Sequence, residues 1–132
     1  MTTVATHPGL TIAEAAAASG LSVHTLRYYE RDGLMLDPVD RAPSGHRRYT
    51  EGDLGWIALV NRLRATGMPV REVRAYADLV RAGDGNEAQR LELLRAHHER
   101  VLVEMESVRA HLVAIERKID VYEGRAASCV EP

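Results

Sequence analysis

From Asn86 to Glu123 the chain contains neither glycine nor proline, and Leu91, Leu94, His98, Val101, Met105, Val108, Leu112, Ile115, Ile119 and Tyr122 follow one another in alternating steps of three and four. That spacing places all ten on one seam of an α-helix, the pattern by which two helices wind around each other. All but His98 are apolar or aromatic. At about 1.5 Å per residue the seam is on the order of 50 Å long. A lone helix cannot bury such a stripe, so residues 86–123 are expected to form a coiled-coil dimerisation helix and the chain a homodimer. The alternative is one long helix folded against its own chain, but the other four expected helices are already occupied upstream.

A chain of 132 residues fits about one domain. A head plus one accessory element is the most it holds, which leaves no room for a separate ligand-binding domain. Hydrophobic residues at 45% and charged residues at 27% exclude a disordered class. No apolar run approaches the roughly 20 residues needed to span a bilayer, and Met1 to Leu10 lacks the basic and apolar segments of a secretion signal. The expected compartment is the cytoplasm. Cys129 is the only cysteine, so one chain can build neither an internal disulfide nor a cysteine-rich metal centre.

The net charge of −2 argues weakly against nucleic acid as a partner, but location matters more than total. Residues 1–75 carry nine basic against eight acidic side chains, and residues 76–132 eight against eleven. The first part is the more basic. Within it, Arg41, His46, Arg47 and Arg48 lie in a ten-residue stretch without an acid, a patch able to neutralise phosphates.

Thr11 and Glu14 have capping-box spacing ahead of an alanine-rich helix over 12–18, and residues 1–9 read as a flexible tail. Ser19-Gly20 breaks that helix, and Ser22 can cap a second from Val23 to about Arg31. Ile12, Ala15, Ala16, Leu21, Val23 and Leu26 would hold the pair together. Gly33 ends the second helix, and Ala42-Pro43-Ser44-Gly45 has the residues of a type I turn, which predicts a short hairpin wing. Thr50 can cap a third helix over 51–65, with Trp56, Ile57, Leu59, Val60 and Leu63 as its core stripe. Pro69 suits the first turn of a fourth helix reaching about Ala82. Gly124 is expected to stop the long helix, leaving 124–132 as a second flexible tail. The expected fold is therefore mainly α, a head over 10–82 with a small β-hairpin, followed by the dimerisation helix.

The second helix carries Ser22, His24, Thr25, Arg27, Tyr28 and Tyr29, a polar and aromatic surface able to meet base edges and phosphates in a major groove. The alternative puts Tyr28 and Tyr29 partly in the core and leaves Arg27 solvated. In the hairpin, Arg47, Arg48 and Tyr49 suit phosphate clamping beside a groove, although an arginine pair alone is usually solvated surface.

The ordered set is more specific than any part of it. Leu26-Arg27-Tyr28-Tyr29-Glu30, Gly33-Leu34, Gly45-His46-Arg47-Arg48-Tyr49, Asp53-Leu54 and Gly67-Met68-Pro69-Val70 together closely resemble the MerR family of bacterial regulators, over residues 10–82 by motif. The resemblance implies a winged helix-turn-helix whose recognition helix is 23–31. It puts Arg47 and Arg48 in the first wing and Arg71 in a second. It further implies an antiparallel coil between subunits, a palindromic promoter operator in double-stranded DNA, and RNA polymerase as a partner. Relatives bend and untwist promoter spacers in response to an effector. The expected function is sequence-specific transcriptional regulation in response to an effector that these residues do not identify. The alternative is an excisionase-like architectural protein, against which the long helix counts.

His97, His98 and Glu99 are not expected to form a metal site, because adjacent helical residues diverge and no histidine lies four residues away. Cofactors and metal are expected to be none. Metal-sensing relatives place cysteines around the dimer helix, whereas this chain has Cys129 alone. Where some short relatives have a thiol in the third helix, this chain has Arg62. No nucleophile-base set or phosphate loop points to an enzyme.

Overall fold

Residue Thr11 accepts a hydrogen bond from the Glu14 amide at 3.1 Å while the Glu14 carboxylate accepts one from the Thr11 amide at 2.8 Å. This reciprocal box opens α1, Ile12–Ser19, and Gly20 closes it at φ 74°, a left-handed conformation that favours glycine. The computed structural model describes residues 9–36 and 39–130, with side chains to residue 125. The Ser22 side chain caps α2, Val23–Arg31. A two-stranded antiparallel hairpin follows, β1 (Asp40–Arg41) with β2 (Arg47–Arg48), in the register Asp40 to Arg48 and Arg41 to Arg47. Its turn is closed by the Gly45 amide donating to the Ala42 carbonyl at 2.8 Å, with Gly45 at φ 90°.

A second reciprocal box, Thr50 with Asp53, opens α3, Glu51–Ala65. Pro69 is the cap residue that precedes α4, Val70–Arg81, so it sits one position ahead of the expected first turn. The last helix, α5, is Glu87–Val130, 44 residues. The chain divides into two units, one ending at Leu93 and the other beginning at Leu94.

In the first unit α1 packs on α2 and α3, and α3 packs on α4. Leu26, Leu34, Tyr49, Ile57, Val60, Met68 and Val73 are its fully buried large side chains. Ala15 and Leu26 are buried between the first helices, while Ile12, Ala16, Leu21 and Val23 are half-buried. Trp56, Ile57, Val60 and Leu63 form the expected stripe on α3, with Leu59 half-buried beside them. The Trp56 indole donates to the Leu34 carbonyl at 2.5 Å and stacks on Tyr76, with ring centroids 5.6 Å apart and planes 8° from parallel.

Arginines of α4 hold the segment after α2 by its backbone. Arg74 donates to the Asp32 carbonyl at 2.9 Å, and Arg81 donates to the carbonyls of Gly33, at 3.2 Å, and Met35. Arg90, in the first turns of α5, donates to the Asn86 side chain at 2.6 Å and to the Gly83 carbonyl at 2.5 Å. Charged donors on carbonyls with no ladder partner satisfy groups that loops otherwise leave to water.

Two expected boundaries shift. Residue 9 is not free tail, since a Cβ on it would stand 2.7 Å from the Tyr49 carbonyl oxygen. Next to it, Leu10 and Tyr49 exchange backbone hydrogen bonds, each 2.7 Å, which fastens the start of the head to the end of the wing. Gly124 does not stop α5, which continues to Val130. A mid-helix glycine costs about 1 kcal/mol relative to alanine, and the Arg125-Ala126-Ala127 that follows favours helix. The rest of the expected N-terminal tail, and residues 131–132, lie outside the described residues.

In the second unit, the side chains of α5 from Leu102 to Arg125 are exposed. Met105, Val108, Leu112, Ile115, Ile119 and Tyr122 are between 48% and 57% exposed, far from the state such residues reach in a core.

Candidate nucleic-acid interface

Periodicity sorts the side chains of α2. Leu26 and Tyr29, three apart, turn inward and are buried, while His24, Arg27 and Arg31, at steps of three and four, are exposed. The Ser22 hydroxyl accepts from the Thr25 amide at 3.0 Å and lies 2.9 Å from the Thr25 hydroxyl, so this pair finishes the helix start. Tyr28 is half-buried, its ring centroid 6.2 Å from that of Tyr29 and 5.7 Å from the Arg31 guanidinium.

Tyr29 and Tyr49, both expected on a DNA-facing surface, are core residues at 5% and 1% exposure. The Tyr29 hydroxyl donates to the Asn61 side chain of α3 at 3.1 Å. The Tyr49 hydroxyl is buried with no hydrogen-bond partner among the described residues. Burial pushes both phenols above their ordinary value of 10, and for Tyr49 the Glu30 carboxylate adds to the rise. The signal available in the sequence was the three-residue step from Leu26 to Tyr29, which puts them on one face.

The wing meets the C-terminal end of α2 at Glu30. One Glu30 oxygen accepts from Arg47, and the other lies 3.5 Å from the Arg41 guanidinium. Arg41 also donates to the Gly45 carbonyl at 2.9 Å, and Ser44 and His46 pair at 2.9 Å across the turn. Arg48, half-buried, donates to the Arg47 carbonyl at 3.3 Å. Its charge also helps to hold the Glu14 carboxyl below its ordinary value, an effect led by the Thr11 backbone hydrogen bond. The pairing of Glu30 has no signal in the sequence, because its partners stand 11 and 17 residues away. Arg71 is exposed in the first turn of α4.

The first unit thus presents His24 and Arg27 on one helix face and Arg48 on a hairpin joined to that helix. Imidazole and guanidinium groups donate to base acceptors, and guanidinium groups pair with phosphates. No group of three His, Cys, Asp or Glu side chains able to hold a metal occurs among the described residues. His97 is buried, with the Arg100 guanidinium 3.5 Å from Nδ1, and His98 is exposed. No described helix is long and apolar enough to cross a membrane.

Residues 10–79 match the family described as MerR HTH family regulatory protein. An HTH-type transcriptional regulator of Haemophilus influenzae is 34% identical over 113 residues, 86% of this chain and 83% of that protein. The crystal structure of HiNmlR, described as a MerR family regulator lacking the sensor domain and bound to promoter DNA, aligns with a TM-score of 0.79 and 33% identity. That alignment covers 89% of this chain and 92% of that one. A MerR family transcriptional regulator from Listeria monocytogenes aligns with a TM-score of 0.85 and 32% identity, covering 92% and 91%. With its winged helix-turn-helix in place and relatives of this kind along most of its length, the chain belongs to the MerR HTH family and is a DNA-binding transcription regulator.

Proposed function

We propose that the chain works as a cytoplasmic homodimer that binds a palindromic promoter operator, distorts its spacer and thereby controls RNA polymerase in response to an effector or stress. The observation that carries the dimer is the apolar row of α5, with Met105, Val108, Leu112, Ile115, Ile119 and Tyr122 each about half exposed. An apolar row of this length is rarely left open to water. Pairing two copies along it removes the row from water, and a two-fold dimer carries two heads suited to two half-sites. Leu91, Leu94, His98 and Val101 extend the same seam.

Each head would read DNA through His24, Arg27 and the edge of Tyr28, with Ser22 and Thr25 at the helix start. Arg48 and Arg71 would bind phosphates on either side. Support for promoter DNA as the target comes from HiNmlR, whose structure is bound to promoter DNA. The chemistry is binding rather than catalysis.

The test is selection of duplexes from a random pool, followed by sedimentation of the protein with and without the selected duplex. A palindromic consensus bound by two chains supports the reading. A monomer that binds all duplexes equally overturns it.

A further inference from the structure

We propose that Glu30 is a positioning residue that locks the wing to the recognition helix through Arg41 and Arg47, leaving Arg48 as the wing's phosphate ligand. The inference rests on the reading above that the wing faces DNA. It reassigns Arg47, which the sequence puts beside Arg48 as a second phosphate clamp.

Neighbouring residues of a strand project to opposite faces. Arg47 and Arg48 are neighbours in β2, so one shared role for their guanidinium groups conflicts with the geometry of the hairpin. Arg47 projects toward α2, where its Nε donates to one Glu30 oxygen, and the two side chains are 25% and 19% exposed. Arg41 takes the other oxygen with one nitrogen and braces the turn at Gly45 with another. A carboxylate that engages two guanidinium groups at reduced exposure is held more firmly than a solvated surface pair. One of the two positive charges is thereby offset before any DNA arrives.

The Leu10 to Tyr49 backbone exchange fixes the far end of β2 at 2.7 Å, so the hairpin is held from both ends. A wing set at a fixed angle to α2 delivers Arg48 to a phosphate while α2 lies in the groove, with little ordering left to be done on binding.

Two measurements test this. The first needs no DNA: amide exchange at Ala42 and Gly45, the two turn amides, in Glu30→Gln. The clamp predicts exchange at least tenfold faster than in the unmodified protein, and unchanged exchange overturns it. The second is the salt dependence of binding to a random-sequence duplex. Arg48→Ala should lower the slope of log K against log salt by about 0.9, the loss of one phosphate contact, and Arg47→Ala should leave the slope unchanged while weakening binding.

A slope lowered by Arg47→Ala overturns the clamp. If Arg48→Ala also leaves the slope unchanged, the proposed DNA face fails, and the exchange measurement still decides the clamp.

Discussion

The backbone of Leu10 and the backbone of Tyr49 donate to each other at 2.7 Å, joining the start of the head to the end of its wing. The approach is close enough that residue 9 has no room for a side chain. A Cβ on Gly9 would lie 2.7 Å from the Tyr49 carbonyl oxygen, and the residue sits at φ +115°. Gly9→Ala should therefore destabilise the head by about 1–3 kcal/mol, the usual cost of a strained backbone position. Thermal unfolding followed by tryptophan fluorescence checks this, and an unchanged midpoint would remove the constraint.

Tyr49 and Tyr29 should respond in opposite directions to loss of the hydroxyl. Tyr49→Phe removes a buried polar atom that has no partner, and is expected to stabilise by up to about 1 kcal/mol. Tyr29→Phe removes the bond to Asn61 and is expected to cost about 1 kcal/mol. Urea midpoints for the two variants give the comparison directly.

The same two phenols fix an alkaline limit. Both are raised above their ordinary value of 10 by burial, so the folded chain keeps its phenolic protons at pH values where the unfolded chain has lost them. Their contribution is complete below about pH 10 and is lost as pH climbs through the raised values. Stability against pH should fall less steeply above about pH 10 in Tyr49→Phe than in the unmodified protein. Equal slopes would mean that Tyr49 titrates as it does in water.

His24 is exposed on α2, on the face proposed to read DNA, and takes no part in the helix cap. His24→Ala should change which base is preferred at one position of each half-site, by about 1–3 kcal/mol of discrimination, with the salt slope unaltered. Binding to a single-substitution library of the selected duplex reads this. A uniform loss at all positions would instead assign His24 to the phosphates.

Leu112 lies in the middle of the exposed row on α5. Leu112→Asp should convert the proposed dimer to monomer at micromolar concentration, because an unpaired carboxylate would have to be buried in the seam. Sedimentation equilibrium measures it. A variant that remains dimeric would place the contact elsewhere.

Local chemistry made most of the architecture readable. Thr11, Ser22 and Thr50 cap their helices as their residue types and spacing require, and Gly45 takes the left-handed position that ends the wing turn. What escaped was non-local. The Leu10 to Tyr49 bridge gave no pattern that marks Gly9 as structured. Tyr49, set among arginines, looked like surface, yet the fold buries it almost completely. Glu30 was read only as part of a motif, since a carboxylate's partner on another element leaves no trace in spacing. Gly124 misled because a glycine weakens a helix without ending it.

The stacked pair of Trp56 and Tyr76 gives the protein a built-in optical label. Trp56 is the sole tryptophan and lies in the first unit, whereas α5, with 44 residues, supplies much of the helical signal in far-ultraviolet circular dichroism. Emission and ellipticity therefore follow different parts of the same chain without any added dye. Melting curves that coincide in both signals mean that the head and the long helix unfold as one cooperative body, and curves that separate give each its own transition.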